Sequence, residues 1–128
     1  LQRIYINDSK ATNIGATLEA IKSARKLGEI TILCGGQGKG ADFSEFSAFL
    51  NKNCKNIILY GEDKDLIKKN ISQKKYYLFK DFKQAILKSK EITSSKEIIL
   101  LSPACASFDM FLDYEERGKF FKKIILNE

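Results

Sequence analysis

LLSPACASFDMFLDYEERG, residues 100–118, is the stretch that decides the fold. It opens on apolar residues that run into Ser102-Pro103. The small residues Ala104, Cys105, Ala106 and Ser107 follow, and the pattern then turns amphipathic through Phe108, Met110, Phe111 and Tyr114. That order predicts a buried strand, a loop whose backbone can approach a ligand closely, and a helix. Residues 4–13 (IYINDSKATN) and 30–42 (ITILCGGQGKGAD) repeat the sequence of strand and small polar loop. Three strand ends of one kind predict one anion-binding site.

The rest of the chain fits around these stretches. Residues 3–7 alternate and read as a strand. Thr12 or Asn13 can cap the helix that follows, because a side-chain oxygen there can accept an orphan backbone N–H. Ile14, Leu18, Ile21 and Ala24 recur at helical spacing, with Leu27 near the end and Gly28 as the stop. Residues 30–34 form a continuous apolar run, the mark of a strand covered on both faces. Phe43, Phe46, Phe49 and Leu50 mark the next helix. Residues 56–60 form a third strand ended by Gly61, 63–70 a short helix, and 76–79 a fourth strand. Phe82, Ala85 and Ile86 define a helix that Asp81 can cap. Residues 97–101 are the fifth strand, and 114–126 the last helix, buried through Phe121, Ile124 and Ile125. Strand and helix alternate five times, which predicts a mainly parallel sheet with helices on both faces.

Composition narrows the function. The 128 residues suit one domain, and 44% hydrophobic with 30% charged argues against disorder. No run reaches the length of a membrane span, and no signal-peptide pattern opens the chain. The chain lacks an initiator Met and starts almost inside a strand, which predicts a piece cut from a longer protein. Three cysteines without metal-type spacing suggest a reducing cytoplasm. With no histidine, a self-contained hydrolase triad or zinc site is not expected. The net charge of +6 is confined to residues 51–90, where eleven lysines face four acids. That stretch lacks the arginines and interleaved aromatics of a nucleic-acid surface and reads as a solvated face. Neither nucleic acid nor membrane is an expected partner.

The chemistry lies in the three loops. In a parallel sheet, ligands bind beyond the carboxyl ends of the strands. Each loop feeds a helix N-terminus, which favours anions. Lys10, Thr12, Lys39, Ser102 and Ser107 supply charges and hydroxyl donors suited to carboxylate or phosphate. The glycine turn is not a Walker A loop, since Gly38-Lys39 runs into Gly40-Ala41 rather than Ser or Thr. Its glycines do not give the dinucleotide fingerprint either. A stand-alone nucleotide- or anion-binding module and a non-enzymatic interaction domain are the alternatives. Ser102, Pro103 and Glu116-Arg117 read as structural: a loop brace and a helix-face ion pair.

Taken together, NDSKATN (residues 7–13), GGQGKGADF (35–43), LSPACASFDMF (101–111) and ERG (116–118) resemble the C-terminal domain of the Mur ligases, in particular the branch that adds D-glutamate. The resemblance runs over nearly the whole chain. It implies a three-layer α/β/α Rossmann-like domain with strand order 1-5-2-3-4. It also implies an antiparallel edge strand upstream of this chain, so that strand 1 would be left as an open edge. Residues 1–128 would be one C-terminal domain, following UDP-binding and central ATPase domains. The implied reaction is the ATP- and Mg2+-dependent addition of D-glutamate to UDP-N-acetylmuramoyl-L-alanine, in peptidoglycan synthesis in the cytoplasm. ATP phosphorylates the muramoyl-alanine carboxylate, and the amine of D-glutamate attacks the acyl phosphate, leaving ADP and phosphate. Thr12, Lys39 and Ser107 match positions that hold the D-glutamate carboxylates. Phe108 matches a backbone contact there, and Tyr114 stands where a Phe is usual. Asp8 and Lys10 match the loop that reaches the nucleotide. No catalytic residue and no metal ligand is expected within this piece.

Overall fold

The computed structural model describes residues 3–107 and 109–127. The elements alternate as expected: β1 Ile4–Asn7, α1 Ile14–Arg25, β2 Ile30–Gly35, α2 Ser44–Asn53 and β3 Asn56–Tyr60 come first. They are followed by α3 Lys64–Ile67, β4 Tyr76–Leu78, α4 Phe82–Ile92, β5 Ile98–Leu101 and α5 Tyr114–Leu126. The five strands form one parallel sheet in the order β1-β5-β2-β3-β4. β5 lies between β1 and β2, so the loops after all three leave one edge side by side.

The continuous apolar runs are explained by the two-residue period of a strand, which sends alternate side chains to opposite faces. Ile30, Ile32, Cys34, Ile57, Leu59, Ile98 and Leu100 pack with residues of α1, α2 and α3. Leu33, Ile58, Tyr60, Ile99 and Leu101 pack on the other face with residues of α4 and α5. Both faces are therefore dry. The buried Thr31 is accommodated by hydrogen bonding: Asn56 Nδ2 donates to its Oγ1 at 3.1 Å, and Thr93 Oγ1 lies 2.8 Å away.

Three helices start on side-chain caps. Asn13, Asp81 and Asp113 accept from Ala16 N (2.9 Å), Lys83 N (2.8 Å) and Glu116 N (3.0 Å). Asn13, not Thr12, is thus the cap of α1. Two expectations need correction. Leu27 is not part of the α1 stripe: the helix ends at Arg25, and Leu27 is 59% exposed. The helix expected over 63–70 shrinks to the four residues of α3, because only Ile67 within it is buried and Leu66 faces solvent. So little apolar surface cannot hold a longer helix. None of the eleven lysines of residues 51–90 is buried.

Candidate functional site

The three loops are laced together by their backbones. Ala104 N donates to Ala11 O at 2.9 Å, joining the loop after β5 to the loop after β1. Gly35 N donates to Pro103 O at 3.0 Å, and Gln37 and Ala106 exchange a pair of bonds of 2.9 and 3.0 Å. These join the loop after β5 to the glycine turn after β2. Thr12 is exposed in the first loop, Lys39 is exposed in the second, and Ser107 is nearly buried in the third. The Ser107 carbonyl accepts from Met110 N (3.0 Å) and Phe111 N (2.7 Å), which turns the chain towards α5. Phe108 lies outside the described residues.

Tyr114 and Lys10 sit elsewhere on this edge. They line one surface cavity of about 340 Å³ with Asn7, Ser9, Lys119 and Lys122, beside the first loop and the start of α5. Asp8 is held from below: its Oδ2 lies 3.2 Å from Ser102 Oγ, which in turn lies 3.0 Å from Thr17 Oγ1. The Ser102 carbonyl also accepts from Thr17 Oγ1 at 3.2 Å. Ser102 is the loop brace its setting suggested.

The ion pair expected of Glu116-Arg117 is not formed. Glu116 reaches Lys119 instead, at 3.9 Å. Arg117 is 1% exposed and turned inward. Its Nε donates to Ser9 Oγ (3.0 Å), one terminal nitrogen to Ser9 O (2.7 Å) and the other to Cys105 O (2.9 Å). Ser9 Oγ donates in turn to Tyr114 O at 2.6 Å, and Asn7 Nδ2 donates to Gly118 O at 2.9 Å. A planar cation with several fixed donors can tie the first loop, the third loop and α5 into one unit. The helical period alone cannot distinguish such an inward arginine from a solvated one.

The glycine turn has supports that sequence reasoning missed. Gly38 N donates to Asp63 Oδ2 at 2.6 Å, and Asp63 N donates to Gly36 O at 3.0 Å. Glu62 N donates in turn to Asp109 Oδ2 at 2.8 Å. The approach of the two segments needs glycine, since a Cβ on Gly61 would lie 2.5 Å from Gly36 N. The only sequence signal for this was an acidic pair directly after a strand-ending glycine.

Electrostatics separate the thiols from the chemistry. Burial pushes the Cys105 thiol up to about 12, with Asp63 adding to the shift and Arg117 opposing it. Burial likewise raises Cys34 well above its ordinary value, and Cys34 Sγ donates to Ser102 O at 3.3 Å. Both are protonated packing groups, not nucleophiles. Among the described residues no group of three or more acidic or thiol side chains could hold a metal ion. Among the described residues, too, no helix is long and apolar enough to cross a membrane. The three laced loops carry Lys39 and the hydroxyls of Thr12 and Ser107, and α1 starts from the first of them. That set suits carboxylates, through charge-assisted hydrogen bonds.

Comparison with known proteins agrees with this geometry. The family model described as "Mur ligase, glutamate ligase domain" matches residues 2–105. The UDP-N-acetylmuramoylalanine--D-glutamate ligase of Hydrogenovibrio crunogenus is 42% identical over 123 residues, which is 94% of this chain and 27% of that protein. The enzymes of that name from Francisella philomiragia and Francisella tularensis are each 46% identical over 122 residues. They too are matched over 94% of this chain, and over 30% and 29% of their own length. The chain thus spans under a third of the length of these relatives. A solved domain from Haemophilus ducreyi, ascribed to a UDP-N-acetylmuramate:L-alanyl-gamma-D-glutamyl-medo-diaminopimelate ligase, superposes with a TM-score of 0.55. That alignment covers 97% of this chain and 85% of the solved one at 14% identity, a likeness of fold alone. Matched by the family's own model over most of its length, and 42–46% identical to these ligases over nearly all of it, the chain belongs to the Mur ligase family as a glutamate ligase domain.

Proposed function

We propose that this domain is the C-terminal part of an ATP-dependent ligase that joins D-glutamate to UDP-N-acetylmuramoyl-L-alanine, and that it delivers the D-glutamate. The observation that carries this reading is the lacing of the three loops, because it fixes Thr12, Lys39 and Ser107 to one frame before any ligand arrives. D-Glutamate brings two carboxylates. Lys39 supplies the cation for one of them, and Thr12 and Ser107 supply directional hydroxyl bonds. Each charge-assisted bond to a desolvated carboxylate is worth about 1.5–3 kcal/mol. Tyr114 flanks the site from the start of α5. Lys10 and Asp8 reach the nucleotide across an interface with a central ATPase domain. An exposed ammonium beside a braced carboxylate fits that task. ATP supplies the phosphoryl group that activates the muramoyl-alanine carboxylate. The residues here keep the D-glutamate amine oriented towards that carbon and shield it from water. The isolated domain is not catalytic, and UDP-linked substrate and ATP place the full enzyme in the cytoplasm.

The competing reading, a self-sufficient nucleotide-binding module, fits less well. Such a module binds phosphate with free backbone N–H groups. In this turn the N–H groups of Gly35, Gln37, Gly38 and Ala41 all donate to protein acceptors. The deciding experiment is steady-state kinetics of the full-length ligase. Lys39→Ala raises the KM for D-glutamate by about an order of magnitude or more, the loss of one charge-assisted bond. The KM values for ATP and the UDP substrate stay put. An unchanged KM for D-glutamate refutes the role.

A further inference from the structure

The glycine turn that carries Lys39 is fastened from one side by a single acidic residue. Asp63 grips the turn twice: its carboxylate accepts from Gly38 N at 2.6 Å, and its own N–H donates to Gly36 O at 3.0 Å. Gly38 immediately precedes Lys39. The Lys39 backbone lies at φ 53, in the left-handed region, and Ala41 N closes the turn onto Gly38 O at 3.1 Å. Gly38 packs closely against the Phe43 ring, which a Cβ at that position would approach to 2.5 Å. The segment bearing Asp63 is itself anchored, through Glu62 N on Asp109 Oδ2 and through the close approach of Gly61 to Gly36. An acid is otherwise unwelcome beside a site for anions. Its use here makes sense if holding Gly38 matters more than the local charge.

We infer that Asp63 is a positioning residue for D-glutamate recognition. By fixing the Gly38 N–H it sets where Lys39 presents its ammonium. This rests on the carboxylate-binding role of Lys39 proposed above. It also accounts for why the turn binds through a side chain: the N–H that would point at an anion is already committed to Asp63.

The test is a double-mutant cycle in the full-length ligase, read as KM for each of the three substrates and as kcat. Asp63→Ala raises the KM for D-glutamate about tenfold, with the other two KM values within twofold of the parent. Asp63→Asn keeps an acceptor oxygen for Gly38 N and stays within about threefold of the parent, so the amide rescues what alanine loses. In a Lys39→Ala background, Asp63→Ala adds less than twofold. Equal defects for Asn and Ala overturn the proposal, as do additive effects with Lys39→Ala or a rise in all three KM values. If Asp63→Ala does not fold, Asp63→Ser, whose shorter side chain falls short of Gly38 N, takes its place in both readouts. If Lys39→Ala itself leaves the D-glutamate KM unchanged, the underlying site assignment fails. If Lys39→Ala acts and Asp63→Ala does not, the Asp63 role alone fails.

Discussion

Lys39 is a residue whose backbone works against its identity. At φ 53 the backbone holds a conformation that glycine adopts freely and that residues with a Cβ adopt at a cost of about 1–2 kcal/mol. In the proposed reading, what offsets that cost is the ammonium the position presents. This separates two substitutions that both remove the charge. Lys39→Gly is expected to be more stable than Lys39→Ala by about 1 kcal/mol, because only alanine retains the strained Cβ. Urea titration of the two variants checks it; equal midpoints mean that the turn relaxes and the strain is not stored. Arg117 shows the opposite relation between residue and place. A buried guanidinium is expensive, and it is tolerated here because three of its donors meet oxygens of Ser9 and Cys105. Its burial was hidden in the sequence, since Glu116-Arg117 at a helix start reads as a helix-face ion pair. Only the tertiary meeting of residues 9, 105 and 117 reveals it.

Among the elements, the strands were the most legible. Runs such as ITILC and NIILY have no polar face to show to water, and each became a strand covered on both sides. The last helix, with its boundaries at Tyr114 and Leu126, was legible for a different reason. The apolar positions 121 and 125 keep one face, while the capping role of Asp113 shows only in the structure. α3 and the tail of α1 were misread because capping and periodicity say where a helix can run, not how much surface is there to bury. The cap of α5 matters to the site, since it sets the first turn that carries Tyr114 and the inward Arg117. Asp113→Ala leaves Glu116 N without its acceptor and is expected to cost about 1 kcal/mol of stability. A thermal melt of the domain measures that loss. No loss means that water or a neighbour caps the helix equally well.

At the scale of the whole molecule, the order β1-β5-β2-β3-β4 does the work. Putting the last strand between the first two brings loops roughly thirty and ninety residues apart in sequence to one edge. The three loops could be recognised from the chain because each follows a strand and is rich in small and hydroxyl residues. The fasteners of those loops could not, because the carboxylates of Asp63 and Asp109 act over 25 and 47 residues through isolated hydrogen bonds. No local pattern encodes such a bond. The central claim is that this edge, assembled from three loops, receives the two carboxylates of D-glutamate. The most direct measurement is a crystal structure of the full-length ligase with D-glutamate bound. The account predicts a carboxylate oxygen at about 3 Å from Lys39 Nζ, with Thr12 and Ser107 hydroxyls donating to D-glutamate carboxylates. D-Glutamate bound clear of all three side chains contradicts it.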